Sequence, residues 1–152
     1  MKLVKISDKF FCDCKTHGTE SELMYNEKGR PSVLLVNLRY KGKKYPFVVP
    51  LRSNISGTAP KEQFFSLPPN KNTKYGNSHG IHYIKIFPIK IDYVESYLIN
   101  EPYDILIQSI IDAHEKDIVD ACQDYLGECE KGNHHFVTPD IDGILAWLYA
   151  TI

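Results

Sequence analysis

The stretch Ser32-Val-Leu-Leu-Val-Asn-Leu-Arg-Tyr40, followed by Lys41-Gly42-Lys43 and then Lys44-Tyr-Pro-Phe-Val-Val-Pro-Leu51, decides how this chain folds. Both flanks are rich in β-branched, aliphatic and aromatic residues, and a glycine turn separates them, so they read as an antiparallel hairpin. Pro46 and Pro50 have no amide proton to give a ladder, which predicts an edge or a bulge for the second strand. Upstream, residues 2–6 alternate as a short strand, and Ser7 stands as N-cap before the helical start Asp8-Lys9-Phe10-Phe11. Residues 16–31 are polar and turn-rich, so they form a loop. Downstream, residues 53–80 hold three prolines and three glycines. A structureless connection of that length is unusual in a compact domain, which predicts a functional loop or a hidden strand near Gln63–Leu67. Residues 81–89, Ile-His-Tyr-Ile-Lys-Ile-Phe-Pro-Ile, read as a third strand.

The last third reads as helical. Asp92–Leu98 suits a short helix. From Asp104 to about Leu126 the residues Ile107, Ile110, Ile111, His114, Ile118, Cys122 and Tyr125 recur at spacings of three and four, which predicts one long amphipathic helix stopped by Gly127. Asp112, Glu115, Lys116, Asp120 and Asp124 fall on its solvated side. Thr138 or Asp140 can cap a final helix through Trp147 and Tyr149. The expected class is α+β, with an antiparallel sheet built first and helices covering one side of it.

With 152 residues, 43% hydrophobic and 24% charged, the chain suits a single domain, residues 1–152, that needs no disulfide or metal staple. It has no apolar run long enough to span a membrane and no secretory h-region at its start, which leads us to expect a cytoplasmic protein. Cys12 and Cys14 are spaced C-x-C, and Cys122 and Cys129 C-x6-C. Neither spacing is that of a zinc knuckle, so half-buried reduced thiols are expected and no metal or cofactor is implied.

The net charge of −1 conceals a segregation: residues 1–92 carry 16 Lys+Arg against 7 Asp+Glu, and residues 93–152 carry 2 against 12. Such asymmetry points to a basic face for a polyanion. The plainer reading is that the halves neutralise each other across the fold.

Four basic or polar segments carry the chemistry. Tyr25-Asn-Glu-Lys28-Gly-Arg30-Pro31 puts a phenol, an ammonium and a guanidinium on one loop, against the alternative of a merely solvated turn. Arg52-Ser53-Asn54 follows a strand end and can hydrogen-bond a phosphate from three directions, or form an Asx or Ser turn. Lys74-Tyr75-Gly-Asn-Ser-His79-Gly-Ile-His82-Tyr-Ile-Lys85 brings two histidines three residues apart. Histidine titrates near neutrality and is the usual general acid or base, but that spacing sends the two rings to opposite faces of a regular strand. Arg39-Tyr40-Lys41-Gly-Lys43-Lys44-Tyr45 interleaves cations with aromatics, which suits single-stranded nucleic acid; the same pattern can be edge protection. Phosphate-binding glycine loops and the G-x-S-x-G elbow are absent, and carboxylates are sparse in the basic half, so a two-metal nuclease is not indicated. RNA can be cut without metal, because its 2′-hydroxyl is an internal nucleophile. The protein then moves two protons and stabilises phosphate charge, and His, Lys, Arg, Tyr and Ser suffice.

Over most of residues 1–98 the order of these segments resembles the ToxN/AbiQ family, endoribonuclease toxins of type III toxin–antitoxin systems. The likeness is carried by Lys2-Leu-Val-Lys-Ile-Ser, the Tyr25…Lys28…Arg30-Pro31 loop, the strand–Gly–Lys-Tyr hairpin, Pro50-Leu51-x-Ser53, and His79-Gly80-Ile81 running to Phe87-Pro88-Ile89. The Arg52-Ser53-Asn54-Ile55 version is similar to the TenpN-like branch. The resemblance implies a strongly twisted antiparallel sheet akin to the Kid/MazF toxin barrel with flanking helices. It implies metal-independent cleavage of cellular or phage RNA to a 2′,3′-cyclic phosphate, and inhibition by a folded RNA antitoxin in a closed protein–RNA assembly. Ser53 matches the family's active-site serine, Tyr25 a loop tyrosine, and Lys28 or Arg30 the loop's catalytic lysine. The family's Ser-Pro-Lys continuation is absent, since Asn54 and Ile55 follow Ser53.

The sequence thus nominates Ser53 and Arg52 at the scissile phosphate, Lys28 and Arg30 as charge stabilisers, Tyr25 for positioning, and His79 or His82 as acid or base. Lys41, Lys43, Lys44, Lys74, Lys85 and Asn54 are nominated to hold RNA. The alternatives are a non-catalytic RNA-binding module on the same basic face, and an interaction protein whose acidic helices take a basic partner.

Overall fold

The hairpin forms over Ser32–Tyr40 (β2) and Lys43–Ile55 (β3), in a computed structural model that describes residues 1–24 and 31–150, the side chains of Leu34 and Val36 excepted. Lys2–Ile6 is β1, followed by α1 (Asp8–Thr16), and the loop segment Tyr25–Arg30 lies outside the described residues. Ser7 occupies the N-cap of α1 through its backbone alone; its hydroxyl makes no cap bond. The hidden strand exists as β4 (Phe64–Leu67), introduced by a 3-10 turn at Lys61–Gln63. Strand β5 (Ser78–His82) follows.

The strand predicted over residues 81–89 is broken. A 3-10 turn at Tyr83–Lys85 separates β5 from a two-residue strand β6 (Phe87–Pro88). The expected helix at Asp92–Leu98 is instead a 3-10 turn, Ile91–Tyr93, and strand β7, Val94–Ser96, whose backbone pairs with β1. The long helix is two: α2 (Pro102–Ala113) and α3 (Glu115–Glu130), meeting at His114. Ile111 and Ile118 stay seven residues apart, two turns in phase, so periodicity carries no mark of the break. Gly127 lies inside α3, and the chain turns at Gly132, which has positive φ. Helix α4 (Ile141–Leu148) begins at Asp140, whose carboxylate accepts from Gly143 N at 3.0 Å.

Among the described residues the strands join in the order β4-β5-β3-β2-β1-β7, with β6 also on β3, and every pairing is antiparallel. β3 is therefore interior, not an edge. Its prolines are accommodated by irregularity, as follows. Pro46 lies opposite the register shift between Leu35 and Leu38, where Asn37 has a φ of 65°. Pro50 lies between the residues that pair with β6 (Phe47, Val48) and those that pair with β5 (Leu51, Arg52). One long strand thus serves two partners in turn, as in a sheet that curls.

Alternation along the strands makes two cores rather than one. Leu3, Phe47, Val49 and Leu51 pack with Ile107, Ile111, Ile118 and Leu126 of α2 and α3. Val4, Ile6 and Val48 pack with Phe10 and Phe11 of α1 and with Ile144 and Leu148 of α4. Helices therefore flank both faces, where the sequence suggested one. Phe10 stacks on Phe87 at 5.3 Å and seats α1 against β6. Each fully buried isoleucine or phenylalanine here contributes about 1.5–3 kcal/mol. Polar clamps complete the join: the Gln108 carboxamide of α2 accepts from Leu3 N and donates to Met1 O, and Gln123 of α3 does the same for Arg39. Among the described residues no helix is long and apolar enough to cross a membrane.

Candidate active site

Strand pairing decides which nominated residues meet. Leu51 pairs with Ile81 and Arg52 with Gly80. Side chains alternate from there, so Ser53 and His79 share the face that packs on α2, while Arg52 and His82 share the other. Gly80 opposite Arg52 is required by close packing: a Cβ there would lie 2.5 Å from the Phe65 carbonyl oxygen of β4.

On the α2 face, Ser53 and His79 line a cavity of about 610 Å³, together with Pro31, Asn70, Tyr97, Tyr103 and Asp104. The Ser53 hydroxyl accepts from Asn70 Nδ2 at 2.8 Å. His79 is 4% exposed. Its Nδ1 lies 2.8 Å from the Tyr103 hydroxyl and 3.0 Å from the Pro68 carbonyl, and Tyr103 itself donates to that carbonyl at 2.5 Å. With the phenolic proton on Pro68, Nδ1 must carry its own proton to bond either oxygen. Nε2 is then the lone-pair end of the ring. Burial holds the imidazole pKa below its ordinary value, against the pull of the Pro68 carbonyl, so the ring is neutral near pH 7. Burial, assisted by Asp104, pushes the Tyr103 phenol up to about 12 and keeps it protonated. Pro31, the first described residue after position 30, accepts from Leu51 N at 3.2 Å, so the chain enters β2 at this cavity.

On the other face His82 is 3% exposed, and neither ring nitrogen has a partner among the described residues. Burial first, then the charges of Arg52, Lys85 and His135, hold its pKa down to about 4. Lys85 is consumed structurally: its ammonium donates to the Glu22 carboxylate (3.0 Å), the Glu22 carbonyl (3.1 Å) and the Val137 carbonyl (2.9 Å).

The other nominated residues are scattered. Asn54 spends its amide on the loop, donating to Asn72 O and accepting from Lys74 N and Asn77 Nδ2. Lys41 pairs with Asp142 at 3.0 Å, and its amide donates to Glu130. Lys43 and Lys44 are exposed at the far end of β3, roughly 30 Å of strand from Ser53 at about 3.3 Å per residue. Lys74 is exposed on the loop beside Asn54. Tyr25, Lys28 and Arg30 lie outside the described residues.

Two functional neighbours escaped the sequence reading. Tyr103 sits in the acidic half, where the helical pattern drew attention elsewhere. Asn70 stands in Pro68-Pro69-Asn70-Lys71-Asn72-Thr73, an Asx-turn signal inside the connection marked as a functional loop. The cysteines are free; Cys14, Cys122 and Cys129 are buried, and burial pushes the Cys14 and Cys129 thiols up to about 11. No group of three or more His, Cys, Asp or Glu that could hold a metal occurs among the described residues.

No family model and no curated protein matches this sequence. Two solved structures do match in fold. One, from work on a processed non-coding RNA that regulates a bacterial antiviral system, aligns over 95% of each chain with a TM-score of 0.65 at 17% identity. Another, from work on bacterial type III toxin–antitoxin systems and selective toxin inhibition by a non-coding RNA pseudoknot, aligns over 96% of this chain and 94% of its own, with a TM-score of 0.69 at 14% identity. The fold implied by the ToxN/AbiQ resemblance is the fold this chain adopts, across nearly its whole length.

Proposed function

We propose that this protein is a cytoplasmic endoribonuclease toxin of a type III system, cutting cellular or phage RNA without a metal and held inactive by a folded RNA antitoxin in a closed assembly. The observation that carries the reading is the meeting of Ser53 with a neutral, buried His79 at one cavity, in a fold shared with a toxin that a non-coding RNA pseudoknot inhibits. The reaction needs a base for the 2′-hydroxyl, donors for the phosphate and a proton for the 5′-oxygen. His79 Nε2 is the base, oriented by Tyr103 and Pro68. Ser53 donates to a non-bridging phosphate oxygen. Tyr25, Lys28 and Arg30, which precede Pro31 in the sequence, supply charge and the second proton. Arg52 and His82 lie on the opposite face and take no part in this step. In the transfer, the 2′-oxygen bonds to phosphorus, its proton passes to His79, and the bond to the 5′-oxygen breaks as that oxygen is protonated.

The test is incubation with total RNA in EDTA, followed by end-group analysis. Fragments ending in 2′,3′-cyclic phosphate, absent for Ser53→Ala of wild-type stability, are the expected result. RNA that is bound but left intact by the wild-type protein would overturn the enzyme assignment in favour of an RNA-binding module.

A further inference from the structure

Asn70 reaches Ser53 through an amide that has only one orientation open to it. Its carbonyl oxygen accepts from Asn72 N at 2.8 Å and from Thr73 Oγ1 at 3.0 Å, which fills both lone pairs. The amino end must therefore face Ser53, to whose Oγ it donates at 2.8 Å. The turn that carries it is tied at every point: Asn70 N donates to Thr73 Oγ1 (3.1 Å), Thr73 N to Asn70 O (3.1 Å), and Asn54 Nδ2 to Asn72 O (2.9 Å). Two prolines precede it and restrict the backbone further. Adjacent residues of β3, Ser53 and Asn54, thus grip the same turn from side by side.

We infer that Asn70 is a positioning residue that makes the Ser53 hydroxyl a donor toward the cavity. A serine oxygen has one proton and two lone pairs. With a lone pair held by Asn70, and no acceptor for the Ser53 proton among the described residues, the O–H is left to an anion in the cavity. A hydroxyl free to rotate would spend part of its time offering that anion a lone pair instead. The inference rests on the proposed function, since it concerns the phosphate of that reaction.

Two substitutions separate this role from simple loop support. Asn70→Asp keeps an acceptor for Asn72 N and Thr73 Oγ1, so the turn survives, but it has no amino group to give Ser53. Asn70→Ala removes the side-chain acceptor that braces the turn and the donor together. Rates are taken at saturating RNA, so that repulsion by the added carboxylate appears in KM. Both variants should lose kcat by about 10- to 100-fold, the effect of one lost hydrogen bond to a reacting group, while Asn70→Asp keeps the wild-type melting temperature. Wild-type kcat in Asn70→Asp, with or without a loss in Asn70→Ala, would reduce Asn70 to a structural residue and overturn the inference. So would an active Ser53→Ala protein, because Asn70 would then have nothing to act through. A wild-type protein that leaves RNA intact would instead fail the functional reading itself.

Discussion

Replacing Lys85 by methionine separates an RNA contact from a structural tie. The Lys85 side chain is 9% exposed, and its ammonium touches three oxygens, two of them backbone carbonyls. Methionine keeps the apolar stem but leaves the carbonyls of Glu22 and Val137 without their donor, at about 1–3 kcal/mol each. The Glu22 carboxylate is 40% exposed and can turn to water, so its share is that of a surface pair, under about 1 kcal/mol. With some relief from entering water, the total is about 3 kcal/mol, or roughly 10 °C of melting temperature for a chain of this size. Urea unfolding should show a lower midpoint at unchanged slope. Binding of single-stranded RNA to the folded variant should keep its salt dependence. A variant of wild-type stability whose salt slope falls by about 0.7, the signature of one lost phosphate contact, would refute the structural assignment and restore Lys85 to the RNA surface.

Neutralising Lys43 and Lys44 to glutamine should flatten the salt dependence of RNA binding by about 1.4, two contacts' worth, without altering kcat on a short substrate, because both lie far along β3 from Ser53. An unchanged slope removes the hairpin tip from the RNA path. His82 binds its proton at about pH 4 when folded and at the ordinary 6.5 when unfolded, so the unfolded chain takes up the proton first as pH falls. Its contribution to stability is complete above pH 6.5 and lost between there and pH 4. Relative to His82→Leu, the wild-type protein should lose about 2 kcal/mol between pH 7 and pH 5; parallel curves for the two proteins would show that His82 ionises freely in the native state.

Legibility followed the range of the forces involved. β2, the hidden strand β4, the start of α1 and the Asp140 cap were all readable, because hydrophobic alternation, turn residues and capping side chains act over a few positions. β7 was not. Val94–Ser96 is a strand only because β1 offers its edge, through Val4–Ser96, Lys5–Glu95 and Ile6–Val94. The break at His114 was hidden because both halves of the helix keep one buried stripe. The site divides in the same way. Ser53 and His79 were visible as residue types, and the spacing of His79 and His82 already implied opposite faces. Which histidine shares Ser53's face depends on the β3–β5 register, and Tyr103 comes to His79 from another element 24 residues away.

The charge segregation resolves differently at different places in the fold. At the hairpin tip the halves neutralise, where Lys41 pairs with Asp142 and its amide with Glu130; at the start of α3 the terminal ammonium of Met1 pairs with Glu115. Lys43, Lys44, Lys71 and Lys74 are exposed and form no ion pair among the described residues. Around the Ser53 cavity the two signs face each other, with Lys71 on the loop wall and Glu101 and Asp104 on the helix wall. A phosphate entering that cavity is drawn to the loop wall, where Asn70 and Ser53 stand, and repelled from the helix wall. Carboxylates there repel phosphate yet accept hydrogen bonds from base amino groups. The acidic third of the chain therefore does more than balance charge: it makes one wall of this cavity acidic, and under the proposed function that polarity would give a bound nucleotide one favoured direction.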